Sequence, residues 1–215
     1  MKNKKVIFFD LDGTILDVSE RIYRVYKDIM KKYNKKFLSK DKYLKLKRRK
    51  MPVEEILKKT KAEDIFLKFK KEWEREIEKP HYLELDKISD FEKKILLNLK
   101  SNYKLVLVTL RNHPKRLVSQ LREKKIDRIF DKILVKSARD YQSKWKLKYN
   151  LIKKYGDYDK GSIVVGDTET DILAGKKLKI KTVAVIEGMR NREILGKCKS
   201  DFLIKNITEL NQCNF

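Results

Sequence analysis

The sequence predicts an α/β fold: a doubly wound, Rossmann-like parallel sheet with an inserted all-helical cap domain. Three observations carry this. Val6 to Phe9 are four apolar residues in a row, long enough for a buried strand and too short for a helix. From Ser89 onward, short apolar runs alternate with stretches of helical periodicity, the pattern of strand–helix–strand units. Between them, residues 18–80 place apolar side chains only at helical spacing. The chain therefore divides into a core domain, residues 1–17 and 81–215, and a helical cap, residues 18–80.

In order along the chain, the opening strand runs straight into Asp10, Asp12, Gly13 and Thr14, with Gly13 permitting a tight turn. Ile22, Val25, Tyr26, Ile29, Met30 and Tyr33 then form one apolar helix face, ended by the polar break at 34–36. Ser39 is placed to cap a short helix carrying Tyr43, Leu44 and Leu46. Pro52 opens a helix to Lys58, and Ile65, Phe66, Phe69, Trp73 and Ile77 mark a longer one ending at Pro80. Phe69 and Trp73 read as cap core.

Ser89-Asp90-Phe91-Glu92 has the pattern of a capping box, opening a helix with Phe91, Ile95, Leu96 and Leu99. Leu105 to Thr109 is the second strand and Pro114 begins the next helix. Ile133 to Val135 is the third strand, followed by a helix over 143–155. Ile163 to Val165 is the fourth strand, with Gly166-Asp167 at its end and a helix from Asp171. Thr182 to Ile186 and the weaker Phe202 to Ile204 complete the sheet.

Composition bounds the function. With 215 residues and 41% hydrophobic content, the chain supplies a sizeable core. The net charge of +24 admits an anionic partner such as nucleic acid, a membrane surface or a phosphorylated substrate. Lysines spread over the whole chain, abundant Asn and Ile and scarce Ala favour a compositional origin instead. Cys198 and Cys213 are the only two cysteines, which excludes a disulfide framework, and neither has a second Cys or a His at metal-ligand spacing. No apolar run approaches the roughly 18–20 residues of a membrane span, and the expectation is a cytoplasmic protein with no membrane partner.

Residues just after parallel strands converge on one crevice. That collects Asp10, Asp12, Thr109, Asp167 and Asp171, with Lys144 at the start of the helix leading into the fourth strand. Such a set of carboxylates suits a hard divalent cation such as Mg²⁺ together with an anionic substrate, and a phosphate ester fits best.

F-F-D-L-D-G-T, L-V-L-V-T and V-V-G-D-T-E-T-D, in that order, resemble motifs of the haloacid dehalogenase-like hydrolase superfamily. Within it, the chain is similar to phosphatases with a helical cap after the first strand, such as phosphoglycolate phosphatases. The resemblance spans nearly the whole chain. The family's remaining motif is a lone lysine, for which Lys144, Lys146 and Lys148 compete. Lys144 is chosen because it opens its helix at a distance from Asp167 that suits the family, with Lys148 as runner-up.

The resemblance implies that Asp10 is the nucleophile, forming an aspartyl-phosphate. It makes Asp12 the general acid for the leaving alcohol and then the base for water. Thr109 and backbone amides after Asp10 hold the phosphoryl oxygens, and Lys144 neutralises them and orients Asp10. Mg²⁺ is held by Asp10, the backbone carbonyl of Asp12, and Asp167, with Asp171 a ligand directly or through water. Thr109-Leu110-Arg111 departs from the small or amide residue that relatives often carry after the threonine. With Lys144 these three make the substrate-binding set, Arg111 reaching a substrate carboxylate or second phosphate, or pointing to solvent. Glu169 either helps the metal or decorates its rim.

The expected activity is magnesium-dependent hydrolysis of a small phosphorylated metabolite. Asp12 argues against a dehalogenase or phosphonatase, which lack this acid. A sugar phosphomutase of the β-phosphoglucomutase kind shares every one of these residues. The net charge keeps a nucleic-acid-end phosphatase or a basic nucleic-acid-binding protein as a further alternative. Substrate and oligomeric state are not legible.

Overall fold

The computed structural model describes residues 5–138 and 143–213. Its sheet has six parallel strands, β1 (Val6–Phe9), β2 (Lys104–Thr109), β3 (Lys132–Val135), β4 (Ile163–Gly166), β5 (Lys181–Val185) and β6 (Phe202–Ile204), in the order β3-β2-β1-β4-β5-β6. The doubly wound fold expected from the sequence is therefore present. β1 and β4 lie side by side at the centre, where the chain reverses its direction of winding. That reversal opens a crevice beyond the carboxyl ends of the two strands.

β1 and β4 are buried along their whole length, as expected of strands covered on both faces. On one face Phe8, Val106, Val108 and Val164 pack with Ile152 and Ile180. Phe8 meets the edges of Tyr155 and Tyr158 at 5.7 and 5.8 Å between ring centres. Among the described residues, no helix is long and apolar enough to cross a membrane.

The chain forms two compact units, Met1–Asp17 with Ile88–Phe215, and Val18–Lys87. The second contains α1 (Ser19–Lys32), α2 (Lys40–Arg48), α3 (Val53–Lys58), a 3-10 turn at Glu63–Ile65, α4 (Phe66–Glu76) and α5 (Pro80–Leu83). Its core is aromatic: Tyr26 stacks on Tyr43 at 4.1 Å, and Phe69 packs against Tyr26 and Trp73. Pro80 begins a short helix where the sequence suggested an end, because proline is as well suited to a first turn as to a stop.

The boundary also differs from the expected residue 80. Buried Arg21 donates to Asp86 at 2.9 Å and to the carbonyl of Ile77 at 3.1 Å, and the Tyr82 hydroxyl donates to Asp28 at 3.0 Å. These bonds fasten residues 81–87 to α1, so they belong to the helical unit.

In the sheet unit, α6 (Asp90–Asn102) starts with the expected capping box. Ser89 Oγ accepts from the Glu92 amide at 3.1 Å, and Glu92 Oε2 accepts from the Ser89 amide at 2.7 Å. α7 (Pro114–Glu123) follows β2, and α8 (Lys144–Tyr155) precedes β4. α9 (Glu169–Leu178) and α10 (Arg192–Gly196) flank β5. α9 packs on β4, β5 and α8, and α8 also reaches β2 and β3.

Candidate active site

Asp10 follows the last residue of β1, and its amide donates to the carbonyl of Val165 on β4 at 2.9 Å. The next residues turn sharply, the amides of Ile15 and Leu16 both donating to Leu11 at 3.0 and 2.9 Å. Gly13 sits at φ +86°, and a Cβ there would collide with the Asp167 carboxylate. Glycine is required by both conformation and space. The first motif is thereby wrapped against the end of β4.

Asp167, one residue beyond β4, is fully buried. Its Oδ1 accepts from the Thr14 hydroxyl at 3.3 Å and its Oδ2 from the Met189 amide at 2.6 Å. Asp171 lies in the first turn of α9, where its Oδ2 accepts from the Thr168 amide at 3.2 Å and hydroxyl at 2.8 Å. Its other oxygen accepts from Lys148. Asp10, Asp167 and Asp171 thus bring carboxylate oxygens within 4.8 Å of one another, all three residues buried.

Lys148, on the buried face of α8, donates to Asp10 Oδ1 at 2.5 Å as well as to Asp171. The expected Lys144 is corrected here. It is exposed at the first position of α8, and four residues of helix set it about 6 Å along the axis from Lys148. Lys146 is exposed too. Lys148 had a readable signal, since it falls between Leu147 and Leu151 on the face that also holds Ile152.

Three carboxylates face this one ammonium. Burial pushes the Asp10 carboxyl up to about 7 against the pull of Lys148, with repulsion from Asp171 adding to it. Burial, then Asp10 and Asp171, push Asp167 well above the usual carboxylate range. Burial opposes the charge of Lys148, yet Asp10 and Asp171 outweigh it and raise its pKa. A clustered, buried excess of carboxylate oxygen is the donor set a hard divalent cation takes, so these residues fit Mg²⁺.

The side chain of Asp12 stands apart from this cluster. Arg111 holds it by both oxygens, Nε to Oδ2 at 2.5 Å and Nη2 to Oδ1 at 2.6 Å. Arg111 is buried beyond β2 and therefore does not point to solvent. Thr109, 1% exposed, ends β2; continuing the β1–β2 register sets it level with Leu11, between the two aspartates. Leu110 is half-buried beside it. Glu169 accepts through Oε2 from Arg190 Nε at 2.8 Å. Thr14 and the Met189 amide, which hold Asp167, carried no signal in the sequence beyond Thr14's place in the first motif.

Comparison with known proteins agrees with this geometry. Residues 7–185 match the family model described as haloacid dehalogenase-like hydrolase. A protein of Oceanobacillus iheyensis named pyrophosphatase PpaX is 24% identical over 96% of this chain and 94% of its own. The structure of a haloacid dehalogenase-like family hydrolase from Streptococcus pneumoniae superposes with a TM-score of 0.79 at 19% identity, covering 99% of each chain. A protein from Haemophilus somnus, described as a predicted phosphoglycolate phosphatase, superposes with a TM-score of 0.75 at 22% identity, over 99% of this chain and 98% of that one. At such identities the structural likeness speaks for the fold. A model matched from the first strand through the fifth, with carboxylates at the ends of β1 and β4, identifies the chain as a member of the haloacid dehalogenase-like hydrolase family.

Proposed function

We propose that the chain is a magnesium-dependent phosphatase acting on a small phosphate monoester through an aspartyl-phosphate intermediate. The observation behind this reading is the placement of Asp10, contacted by Lys148 and flanked by Asp167 and Asp171, beyond the two central strands. Asp10, Asp167 and Asp171, with the backbone carbonyl of Asp12, would hold Mg²⁺. Bound there, the ion would offset the negative charge of the phosphoryl oxygens and the carboxylates.

The chain's own residues account for the rest. An Asp10 carboxylate oxygen bonds to phosphorus as the bridging P–O bond breaks. The electron pair goes to the leaving oxygen, which takes a proton from Asp12. Water then attacks the aspartyl-phosphate and gives a proton back to Asp12, releasing phosphate and restoring Asp10. Lys148, which contacts Asp10, takes the orienting and neutralising role first expected of Lys144, and Thr109 would hold the phosphoryl oxygens.

The test is a Mg²⁺-dependent assay on phosphorylated metabolites, inorganic pyrophosphate and a generic aryl phosphate. Asp10→Asn should lower turnover more than about 1000-fold while the protein stays folded, because the amide is close in shape but is no nucleophile. Lys148→Met should also lose activity, and Lys144→Ala should keep it. Wild-type turnover in Asp10→Asn would refute the nucleophile and with it the proposed chemistry.

A further inference from the structure

Arg111 has a task that neither a substrate contact nor a surface position describes. Its side chain is 4% exposed, yet both bonds at its fork go to one carboxylate, that of Asp12, 99 residues earlier in the chain. Nη2 also donates to Oε1 of Gln120 at 3.2 Å, and Gln120 itself is 1% exposed, on α7. Asp12 keeps 30% of its side chain open. A planar fork braced from behind grips a carboxyl in one plane and leaves its outer side accessible. A lysine at this position would act as a point charge and would not fix that plane.

We propose that Arg111 is a positioning residue: braced by Gln120, it holds the Asp12 carboxyl where it meets the leaving-group oxygen. This rests on the phosphatase reading and adds to it how the proton donor is kept in place. Displacement of a general acid by about 1 Å costs on the order of 100-fold. That loss falls on esters whose leaving group needs the proton. An ester that departs as a stable anion is nearly indifferent to it.

The experiment measures kcat and KM of the full-length, Mg²⁺-loaded protein on 4-nitrophenyl, phenyl and benzyl phosphate, in rising order of leaving-group basicity. For Arg111→Gln, kcat/KM, which reports expulsion of the leaving group and not the later hydrolysis of the aspartyl-phosphate, should fall about 100-fold on benzyl phosphate and less than about 5-fold on 4-nitrophenyl phosphate. Arg111→Lys should recover part of the benzyl loss. Asp12→Asn should show the same graded pattern more strongly, and adding Arg111→Gln to it should change little further, because two residues acting as one unit are not additive.

An equal fall in kcat/KM on all three esters would overturn the inference, as a merely structural role predicts. So would a rise in KM with kcat preserved, which marks Arg111 as a direct substrate contact. Should Arg111→Gln fail to fold, Gln120→Leu carries the test. It should cost about 10-fold on benzyl phosphate with little effect on 4-nitrophenyl phosphate, and an even loss on both would again overturn it. If the wild type hydrolyses none of the esters, or Asp10→Asn equals the wild type, the phosphatase reading falls first. An active wild type, a dead Asp10→Asn and no leaving-group dependence in the Arg111 variants defeat this inference alone.

Discussion

Asp10 combines two demands that conflict in a protein without bound metal. A nucleophile must be ionised, yet burial among other carboxylates raises its pKa to about 7. An unfolded chain loses that proton near 3.8, so between about pH 4 and about 7 the folded, chelator-treated protein binds a proton that the unfolded one does not. Its stability therefore falls as pH rises through that window, by about 1.4 kcal/mol per pH unit for each proton retained. Asp167 acts in the same direction. Melting with chelator at pH 5.5 and pH 8 should show a larger loss at pH 8 for the wild type than for Asp10→Asn, which isolates this contribution. Mg²⁺ should raise the melting temperature more at pH 8, where it no longer competes with protons. A wild type and variant that respond identically to pH would contradict the assigned burial of charge.

Elements that rest on local chemistry were legible. The capping box at Ser89 is written in four adjacent residues, and α6 begins where it says. Ser89→Ala should cost about 1 kcal/mol, seen as a drop of about 2–4 °C in melting temperature. No change would mean that packing alone sets the start of α6. α8 shows the limit of the same approach. Its periodicity located the helix and an apolar face that favours Lys148 over Lys144 and Lys146, but that this face meets the end of β1 came only from the packing. Leu147 and Ile152 mark that face, and Lys148 is the lysine on it. The turn before α9 was similarly open: Asp171 accepts from Thr168 with one oxygen and from Lys148 with the other, joining helix start and site in one side chain.

At the scale of the whole molecule, the division into two units depends on contacts between ends of a long insertion. Asp86 is fully buried against Arg21, 65 residues away, and this pair closes the helical unit near its two ends. Removing one partner of a buried pair strands the other charge. Asp86→Ala should destabilise the helical unit by about 3–5 kcal/mol. Urea unfolding followed by Trp73 fluorescence in a Trp145→Phe background would report it, and a loss below about 1 kcal/mol would show that the pair does not hold the unit together.

By itself the sequence determined the sheet, the order of its strands along the chain and the carboxylates at their ends. Each is encoded locally, by a run of apolar residues followed directly by Asp10 and Asp12, by Thr109 or by Asp167. Only the tertiary structure decided that Lys148 meets Asp10, that Arg111 grips Asp12 and that residues 81–87 join the helices. Those pairings span tens of residues and form because strand register and helix rotation bring distant side chains within bonding distance. Local periodicity sets which face a residue lies on, while the partner across from it depends on how the elements pack.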